Sequence, residues 1–407
     1  IYNRSEVYLN GHLLGKRPNG YISFMYDLSP WLKDGDNVLA VRVDHSRNAD
    51  SRWYSGSGIY RDVWLVAANE SHIALWGVGY EATLSCSNAG IEVKVELDNP
   101  LPGSWLEVAL ADNSGKTIAK SKCRAARLNN LQLKAKNIRR WSLDDTYLYN
   151  MTTTLTSSGT TIDKTTTKVG LRSLEFDANK GFALNGKRMK VKGVCLHHDA
   201  GVLGAAVPRA VWKRRLQNIK DLGANAIRMS HNPQAPMVYD LCDQIGLLVI
   251  DEASDEWEFP KRKWVEGWNN GTPAFDGSFD FFEEWIERDV ADMVRRDRCH
   301  PSVFLWSIGN EVDYPNDPYS HPVLDGDSIE QPMYGGYKPE APNAERIGKI
   351  AKRLVNCVKA IDTSRPTTGA LAGVAMSNAT EYPEAVDVVG YNYSDKRYDI
   401  DHITYPG

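Results

Sequence analysis

The stretch that decides the fold spans residues 191–252 and reads VKGVCLHHDAGVLGAAVPRAVWKRRLQNIKDLGANAIRMSHNPQAPMVYDLCDQIGLLVIDE. Short apolar runs alternate in it with segments whose apolar residues recur every three or four positions, as over residues 208–222. Strand, helix and strand in this order are typical of a parallel sheet with helical connections. The pattern therefore predicts an α/β architecture for this part of the chain.

The same alternation continues towards the C-terminus. The predicted strands are 191–197, 224–229, 247–251, 302–308, 366–371 and 386–393, and the predicted helices are 208–222, 235–245, 279–296 and 343–361. A TIM barrel is the natural closure of such a sheet, and it needs eight strands. We therefore expect residues 171–407 to form a (β/α)8 TIM barrel that is incomplete, with about six strands present.

The chain before residue 171 has the short alternating segments of β-structure. Asn10-Gly11 between two such runs is a strong hairpin signal, residues 34–37 predict a turn, and residues 22–24 and 37–43 predict further strands. Residues 1–70 are expected to form part of a jelly-roll-like β-sandwich. Residues 71–170 carry about seven short strands, which suits an immunoglobulin-like β-sandwich.

Composition excludes several classes of protein. The 407 residues are 42% hydrophobic and 25% charged, with a formal net charge of -4. No apolar run approaches the roughly 20 residues of a membrane span, and the charge balance gives no basic surface for nucleic acid. Neither a membrane nor a nucleic acid is an expected partner. The six cysteines are scattered without zinc spacing and are predicted to be buried thiols.

Polar clusters follow four of the predicted barrel strands. They are His197-His198-Asp199, Arg228 to Asn232, Asp251-Glu252 and Asn310-Glu311. In a TIM barrel the reacting groups lie at the C-terminal ends of the strands. Any one such cluster is more often a helix cap or a salt bridge, but four on one rim predict an active site.

The segment HPSVFLWSIGNE at residues 300–311 closely resembles glycoside hydrolase family 2, which contains β-galactosidases, β-glucuronidases and β-mannosidases. The resemblance covers essentially the whole chain. Further matches in the family's order are GSGIYRDVW (56–64), LNGK (184–187), GV (193–194), IRMSH (227–231) and VIDE (249–252). The resemblance implies a retaining exo-β-glycosidase with two β-sandwiches and a catalytic TIM barrel.

The resemblance also assigns the central catalytic residue. A retaining glycosidase uses one carboxyl group as acid and base and a second as nucleophile, about 5 Å apart. Glu311 matches the family's acid/base, and Asn310 matches the residue that binds the sugar's 2-hydroxyl. A general acid must carry its proton before the sugar bond breaks, and apolar surroundings such as Trp306, or a neighbouring carboxylate, are expected to favour the protonated form of Glu311.

Other positions match sugar-binding residues of the family. His231 and Arg228 match residues that contact sugar hydroxyls and steady the nucleophile, and His198 or Asp199 is expected in the same subsite. Tyr393 matches a tyrosine that hydrogen-bonds the nucleophile, and Trp257 is a candidate stacking wall. Asp50, with Arg52, lies in a loop that reaches the barrel mouth in relatives. For each, a purely structural role stays open.

The family's nucleophilic glutamate follows the seventh strand, so we expect it beyond residue 407. Glu381 is rejected as nucleophile because it precedes the predicted sixth strand. By the family's standards the first domain also begins late, so the chain is expected to be truncated at both ends.

Gly309 favours the β-galactosidase branch, because glucuronidases usually have Ala there. We therefore expect hydrolysis of terminal β-linked sugars of oligo- or polysaccharides by double displacement. A β-glucuronidase, a β-mannosidase and a non-catalytic glycan-binding relative stay open as alternatives.

No cofactor is expected. Large β-galactosidases bind magnesium partly through Glu-x-His, whereas this chain has Glu256-Trp257-Glu258, so a divalent cation is doubtful. The expected partner is a carbohydrate substrate. A homo-oligomer stays open, and so does the compartment, with a periplasmic or secreted location preferred.

Overall fold

The computed structural model describes residues 1–47, 49–267, 270–325 and 335–406. The chain begins with a three-stranded antiparallel sheet in the order β2-β1-β3. Its strands are β1 (Ser5–Leu9), β2 (His12–Arg17) and β3 (Leu39–Arg42). Between β1 and β2, Asn10 has φ 52° and Gly11 has φ 87°. Positive φ at both positions is what a two-residue hairpin turn requires, so the predicted Asn10-Gly11 hairpin is confirmed.

The strand predicted over residues 22–24 is wrong, because these residues form no strand. Ile22 is buried within the apolar core of the barrel instead. Arg61 donates from Nη1 to the carbonyl oxygen of Tyr21 over 2.6 Å, which further fixes this segment. The turn predicted over residues 34–37 is present: Asn37 donates from Nδ2 to the carbonyl oxygens of Lys33 and Gly35.

A sandwich of seven antiparallel strands follows, as the sequence predicts. Its two sheets have the orders β4-β5-β8 and β10-β9-β6-β7. The strands are β4 (His72–Ser85), β5 (Asn88–Asp98), β6 (Trp105–Ala111), β7 (Thr117–Arg124), β8 (Leu128–Ala135), β9 (Tyr149–Ser157) and β10 (Thr160–Val169). Alternate residues of β5, from Ile91 to Leu97, are buried between the sheets, as a strand with one core face requires.

A small three-stranded sheet closes the floor of the barrel. It consists of β11 (Leu174–Asp177), β12 (Gly181–Leu184) and β13 (Lys187–Arg188). Phe182 packs in one cluster with Leu248 and Phe304, which lie at the beginnings of barrel strands. Trp141 belongs to the same cluster, and its Nε1 donates to the carbonyl oxygen of Asp243 over 2.9 Å. The floor therefore connects the sandwich to the barrel.

Six parallel strands form the barrel sheet, and their order in space is their order in the chain. They are β14 (Gly193–Leu196), β15 (Ala226–Met229), β16 (Leu248–Glu252), β17 (Val303–Asn310), β18 (Thr367–Leu371) and β19 (Val388–Tyr391). This is the arrangement of an incomplete TIM barrel. All six strands fall where the sequence predicts them.

The helices connect these strands and cover the sheet. They are α1 (Arg209–Asp221), α2 (Pro236–Ile245), α3 (Phe282–Asp297), α4 (Glu345–Lys359), α5 (Val374–Ser377), α6 (Tyr382–Ala385) and α7 (Tyr398–Thr404). Short 3₁₀ turns lie at Ser29–Trp31, Gly201–Leu203, Phe279–Phe281, Pro322–Asp325 and Asp395–Arg397. In α1, Trp212 and Leu216 are buried, whereas Leu222, the last residue of the predicted helix, follows α1 and is exposed.

Gly246 ends α2 in the left-handed conformation, with φ 82°. A β-carbon at this position would lie 2.1 Å from the carbonyl oxygen of Leu143. Only glycine combines this backbone conformation with so close an approach.

The prediction that the six cysteines are buried is confirmed for Cys242, whereas Cys123, Cys299 and Cys357 are half-buried. It is wrong for Cys86 and Cys195. Both are exposed, because Cys86 lies in the turn between β4 and β5 and Cys195 lies on the edge strand β14. All six belong to the described residues and carry free thiols. Among the described helices, none has the length and apolar character needed to cross a bilayer.

Candidate active site

The C-terminal ends of the central barrel strands bring Arg228, Glu252 and Asn310 together. Arg228, in β15, donates from Nη2 to Glu252 Oε2 over 2.6 Å and to Asn310 Oδ1 over 2.8 Å. Its Nε adds a 3.0 Å bond to the same carboxylate. Because parallel strands end at one rim, three separate predicted clusters meet in one network.

Glu311 directly follows β17 and is 6% exposed. Its Oε1 accepts from Asn392 Nδ2 over 2.9 Å, and its Oε2 accepts from Arg52 Nη2 over 3.3 Å. Its backbone has φ 47°, in the left-handed region that residues with a side chain rarely adopt. Its N–H donates to the carbonyl oxygen of Ala370, so the carboxyl group and the backbone are both held.

Trp306 does not provide the apolar surroundings expected for Glu311. Its ring is fully buried, its Nε1 donates to Asp362 Oδ2 over 2.9 Å, and the guanidinium of Arg365 lies over it. The partners of Glu311 are polar and cationic instead.

Asn310 has hydrogen-bond partners on both ends of its amide. Its Oδ1 accepts from Arg228 and, over 3.3 Å, from Asn392 Nδ2, and its Nδ2 donates to Asp255 Oδ1 over 2.7 Å. The side chain is 1% exposed. The amide is therefore oriented before any ligand enters.

Glu252 is the buried anion of this rim. It accepts from Arg228, from Ser307 Oγ over 2.7 Å, and lies 2.6 Å from His231 Nδ1. Burial alone would raise the pKa of Glu252, but the charge of Arg228 and the hydrogen bonds of His231 and Ser307 hold it below its ordinary value. Glu252 is therefore a carboxylate at neutral pH.

Asp255 is a second buried anion, which the sequence analysis did not single out. It accepts from Arg52 through both carboxylate oxygens, and its Oδ1 also accepts from Lys261 Nζ over 3.2 Å. Burial opposes ionisation, but the charges of Arg52 and Lys261 hold the pKa of Asp255 well below its ordinary value. The only sequence signal was its place three residues after Glu252.

The structure places His197, not His198, beside His231. The rings of His197 and His231 lie 5.4 Å apart, and the ring of Trp53 lies within 5.1 Å and 5.5 Å of them. Nδ1 of His197 is buried and has no hydrogen-bond partner. Burial, followed by the charge of His231, lowers the pKa of His197. His197 and Trp53 therefore join the site, although neither was singled out as a binding residue.

His198 lies apart from the residues described above. It is 4% exposed and packs edge-on against Tyr21 and Tyr60. Burial and the neighbouring charge of Arg61 lower the pKa of His198 to about 3. The ring is enclosed at the contact between the N-terminal region and the barrel, which indicates a packing role, and its expected sugar contact stays a prediction.

Asp199 and Asp50 also have structural partners. Asp199 Oδ2 accepts from the N–H of Gly201 over 3.4 Å and thus stabilises a turn. Asp50 Oδ2 accepts from Asn3 Nδ2 over 3.1 Å and lies 3.4 Å from His45 Nε2. Asp50 nevertheless lines a cavity of about 50 Å³, together with Trp53 and Asp255. That volume is large enough for a few water molecules next to the site.

Tyr393 lies at the open side of the site. Its side chain is 80% exposed, and the charge of Glu311, followed by partial burial, raises the pKa of its phenol. The neighbouring Asn392 makes the direct contact to Glu311. Asn392 lies within the predicted strand 386–393 but was not singled out, and the hydrogen bond expected between Tyr393 and the nucleophile stays a prediction.

Trp257 is not a stacking wall. It is 1% exposed, its Nε1 donates to the carbonyl oxygen of Ile308, and it packs against Phe282 and Tyr382. A β-carbon on Gly309 would lie 2.9 Å from Nε1 of Trp257. The ring therefore lies behind β17, where no sugar face can reach it.

The carboxylates considered for a divalent cation do not fit one. Glu256 accepts from Lys263 Nζ over 2.5 Å and from the N–H groups of Lys261, Ser278 and Phe279. Glu258 forms a bidentate ion pair with Arg346. Both carboxylates are thus already neutralised by side-chain cations. Within the described ranges, no three His, Cys, Asp or Glu side chains are grouped so that they could hold a metal ion.

Glu381 lies away from these residues. It is the residue before α6, is exposed, and pairs with Lys352 of α4 over 2.9 Å. This position on the helical side of the barrel agrees with its rejection as nucleophile.

Sequence profiles of one family match two long segments of the chain. The profile described as "Glycosyl hydrolases family 2, TIM barrel domain" matches residues 177–394, and the profile "Glycosyl hydrolases family 2" matches residues 71–172. Together they cover the sandwich and the barrel.

Similar curated proteins carry two kinds of name. The chain is 39% identical over 414 residues to "Beta-galactosidase BoGH2A" of Bacteroides ovatus, covering 97% of this chain and 47% of that protein. It is 29% identical over 330 residues to the "Beta-glucuronidase" of Bacteroides fragilis, covering 76% of this chain and 46% of that protein. The chain thus spans about half the length of these relatives.

A solved structure shows the same fold. "Crystal structure of a beta-glycosidase from Bacteroides vulgatus" matches with a TM-score of 0.82 and 36% identity. The match covers all of this chain and 46% of that one.

Proposed function

The chain belongs to glycosyl hydrolase family 2, and from this premise we propose that the complete protein is a retaining exo-β-glycosidase acting as a β-galactosidase. It removes terminal β-linked sugars from oligo- or polysaccharides by double displacement. Glu311 is the acid/base, which protonates the glycosidic oxygen and then deprotonates the attacking water.

The observation that carries this proposal is the fixed pair Asn310-Glu311 at the end of β17. Arg52 and Asn392 hold the carboxyl group of Glu311, while Arg228 and Asp255 hold the amide of Asn310. Catalysis by proton transfer needs the acid within hydrogen-bond reach of the leaving oxygen. A carboxyl group so positioned at the rim of a barrel suits that task.

The nucleophile is proposed to lie beyond residue 407, after a seventh strand. Glu252 is a poor alternative, because its side chain is fully buried and already accepts from Arg228, His231 and Ser307. Attack on a sugar through either oxygen would disturb the hydrogen bonds of that oxygen, to His231 on Oε1 or to Arg228 and Ser307 on Oε2. We propose that Arg228 and His231 fix Glu252 as a structural anion of the site.

The residues that contact sugar are proposed to be Arg52, Asp255, His197 and His231, with Trp53 as the aromatic surface. Trp53 takes the role first assigned to Trp257, since its ring lies beside both histidines. Polar groups combined with an apolar ring face suit the two kinds of surface that a sugar presents.

The charges at the rim favour an uncharged sugar. Arg228 is paired with Glu252, Arg52 with Asp255 and Glu311, and Lys261 with Asp255. A glucuronide carboxylate would have to compete with these carboxylates for its cation, at a cost in desolvation. This favours a galactoside over a glucuronide.

A panel of aryl β-glycosides tests the proposal, with galactoside, glucuronide, mannoside and glucoside given to the complete protein. We expect preferential turnover of the galactoside, and proton NMR of the first product should show the β-anomer. Preference for the glucuronide would support the second candidate, which the name of the Bacteroides fragilis relative favours. Turnover of none would favour a glycan-binding protein without catalysis. Light scattering of the same sample measures whether the complete protein forms a homo-oligomer.

A further inference from the structure

Lys261 lies in the loop after β16 and is one of the most deeply buried cations in the described chain. It is 1% exposed. Its Nζ donates to the carbonyl oxygen of Asn310 over 2.7 Å and to Asp255 Oδ1 over 3.2 Å. Burying an ammonium group costs several kcal/mol unless it is paired and hydrogen-bonded. These two partners therefore fix where the charge lies.

The carbonyl group of Asn310 belongs to the peptide that joins Asn310 to Glu311. The N–H of the same peptide donates to the carbonyl oxygen of Ala370 over 2.7 Å. The peptide is thus held from both sides, by Lys261 and by β18. Glu311 needs this support, because its left-handed φ of 47° costs about 1 to 3 kcal/mol relative to ordinary backbone.

Asp255 also links Lys261 to the side chains of Arg52 and Asn310. One oxygen, Oδ1, accepts from Lys261, from Arg52 over 2.9 Å and from Asn310 Nδ2 over 2.7 Å. Arg52 in turn donates to Glu311. Removing Lys261 would therefore loosen both the backbone and the side-chain supports of the acid/base.

The charge of Lys261 also acts on the carboxylates around it. Burial and the nearby charge of Arg52 lower the pKa of Lys261, while Asp255, Glu311 and Glu256 act in the opposite direction. Glu311 is thus close enough to interact electrostatically with the ammonium group of Lys261.

We propose that Lys261 is a positioning residue for the glycosidase reaction, which holds the Asn310-Glu311 peptide and supplies a fixed internal cation beside the acid/base. This inference rests on the proposed function of Glu311.

The experiment compares Lys261→Met and Lys261→Arg with wild type in the complete protein. We expect Lys261→Met to lower kcat about 10- to 100-fold on aryl β-galactosides with poor leaving groups, with KM changed less than about threefold. Loss of a cation next to a carboxyl group favours its protonated form. The basic limb of the pH profile should therefore move to higher pH, and Lys261→Arg should restore much of the wild-type profile.

Lys263→Met is the matched control. Lys263 is equally buried and lies in the same loop, but its Nζ contacts Glu256 and the carbonyl oxygen of Lys261, not Asn310 or Asp255. It should lower thermal stability without moving the pH profile. If both Met variants show the same loss and the same profile, Lys261 only helps the loop to fold, and the proposal is overturned.

Crystal structures of wild type and both Met variants make the inference independent of turnover. We expect the Asn310-Glu311 peptide to rotate, or to adopt more than one conformation, in the Lys261→Met variant only. If that peptide is unchanged, the proposal fails, whether or not the enzyme is active. If wild type turns over no glycoside, the proposed function fails by itself, and the structures alone decide the placement role of Lys261.

Discussion

Arg52 and Glu311 are 259 residues apart in the chain, yet Nη2 of Arg52 donates to Glu311 Oε2 over 3.3 Å. The same guanidinium forms a bidentate ion pair with the carboxylate of Asp255. A loop of the N-terminal β-region therefore supplies a cation to the end of the fourth barrel strand present. The proposed acid/base site is thus built by two parts of the chain, not by the barrel alone.

Replacing Arg52 should impair turnover without unfolding the protein. Because charge-assisted hydrogen bonds contribute about 1.5 to 3 kcal/mol, Arg52→Met should lower kcat/KM on aryl β-galactosides about 10- to 100-fold. Arg47→Met is the control in the same loop, since Arg47 pairs with Asp280 outside the site. Equal kinetics for the two variants would contradict a role for Arg52 at the acid/base.

Arg228 should matter for stability through Glu252. Arg228→Met leaves a fully buried carboxylate without its main partner, which typically costs about 3 to 5 kcal/mol of unfolding free energy. Adding Glu252→Gln should recover part of this loss, because the uncompensated charge is removed. Urea unfolding of the two single variants and the double variant measures the coupling. Additive losses would show that the two residues do not stabilise each other.

His198 should make the fold sensitive to mild acid. Its pKa is lowered from its ordinary 6.5 to about 3, so the unfolded chain takes up a proton that the folded protein excludes. The stability that the neutral ring provides is complete above pH 6.5 and is lost as the pH falls from 6.5 towards 3. Linkage gives a loss of about 2 kcal/mol at pH 5.

The measurement for His198 is the free energy of unfolding between pH 8 and pH 5 for wild type and His198→Phe. The variant should lose about 2 kcal/mol less over this range. The exposed His402, replaced by Gln, serves as the control. A parallel pH dependence for wild type and His198→Phe would refute the assignment.

Gly309 and Trp257 should behave as a coupled pair. A β-carbon at position 309 would meet Nε1 of Trp257 at 2.9 Å, so Gly309→Ala should cost about 1 to 3 kcal/mol through overpacking. Trp257→Phe removes Nε1 and should relieve part of this cost in the double variant. Thermal unfolding of the four proteins tests the coupling. If Gly309→Ala is as stable as wild type, the contact has room to adjust.

The six barrel strands, the sandwich and the Asn10-Gly11 hairpin could be predicted because each is a local pattern. Alternation in β5, spacing in α1 and a two-residue turn are all visible in a short window of sequence. The segment at residues 22–24 failed for the same reason. Its alternation is local, but Ile22 is used to dock onto the distant barrel core.

The parts of the site that follow strands could be predicted from local patterns, whereas the parts supplied by loops could not. Asn310 and Glu311 lie on β17 or directly after it, so their rim position followed from the strand. Arg52 was expected near the barrel mouth from the family resemblance alone, and Lys261 was not singled out, because the contacts of both depend on tertiary structure. Trp257 shows the converse error, since nothing in the sequence indicates that its loop turns the ring into the core.

The role of Glu311 is most directly tested by Glu311→Gln in the complete protein, assayed with a series of aryl β-galactosides of increasing leaving-group basicity. Good leaving groups need little protonation, whereas poor ones depend on a general acid that contributes about 10²- to 10⁴-fold. We predict that the rate of the first step, in which the aryl group leaves, falls steeply in the variant for poor leaving groups. For the most activated substrate this rate should be nearly that of wild type. An equal loss across the series would contradict Glu311 as the acid/base.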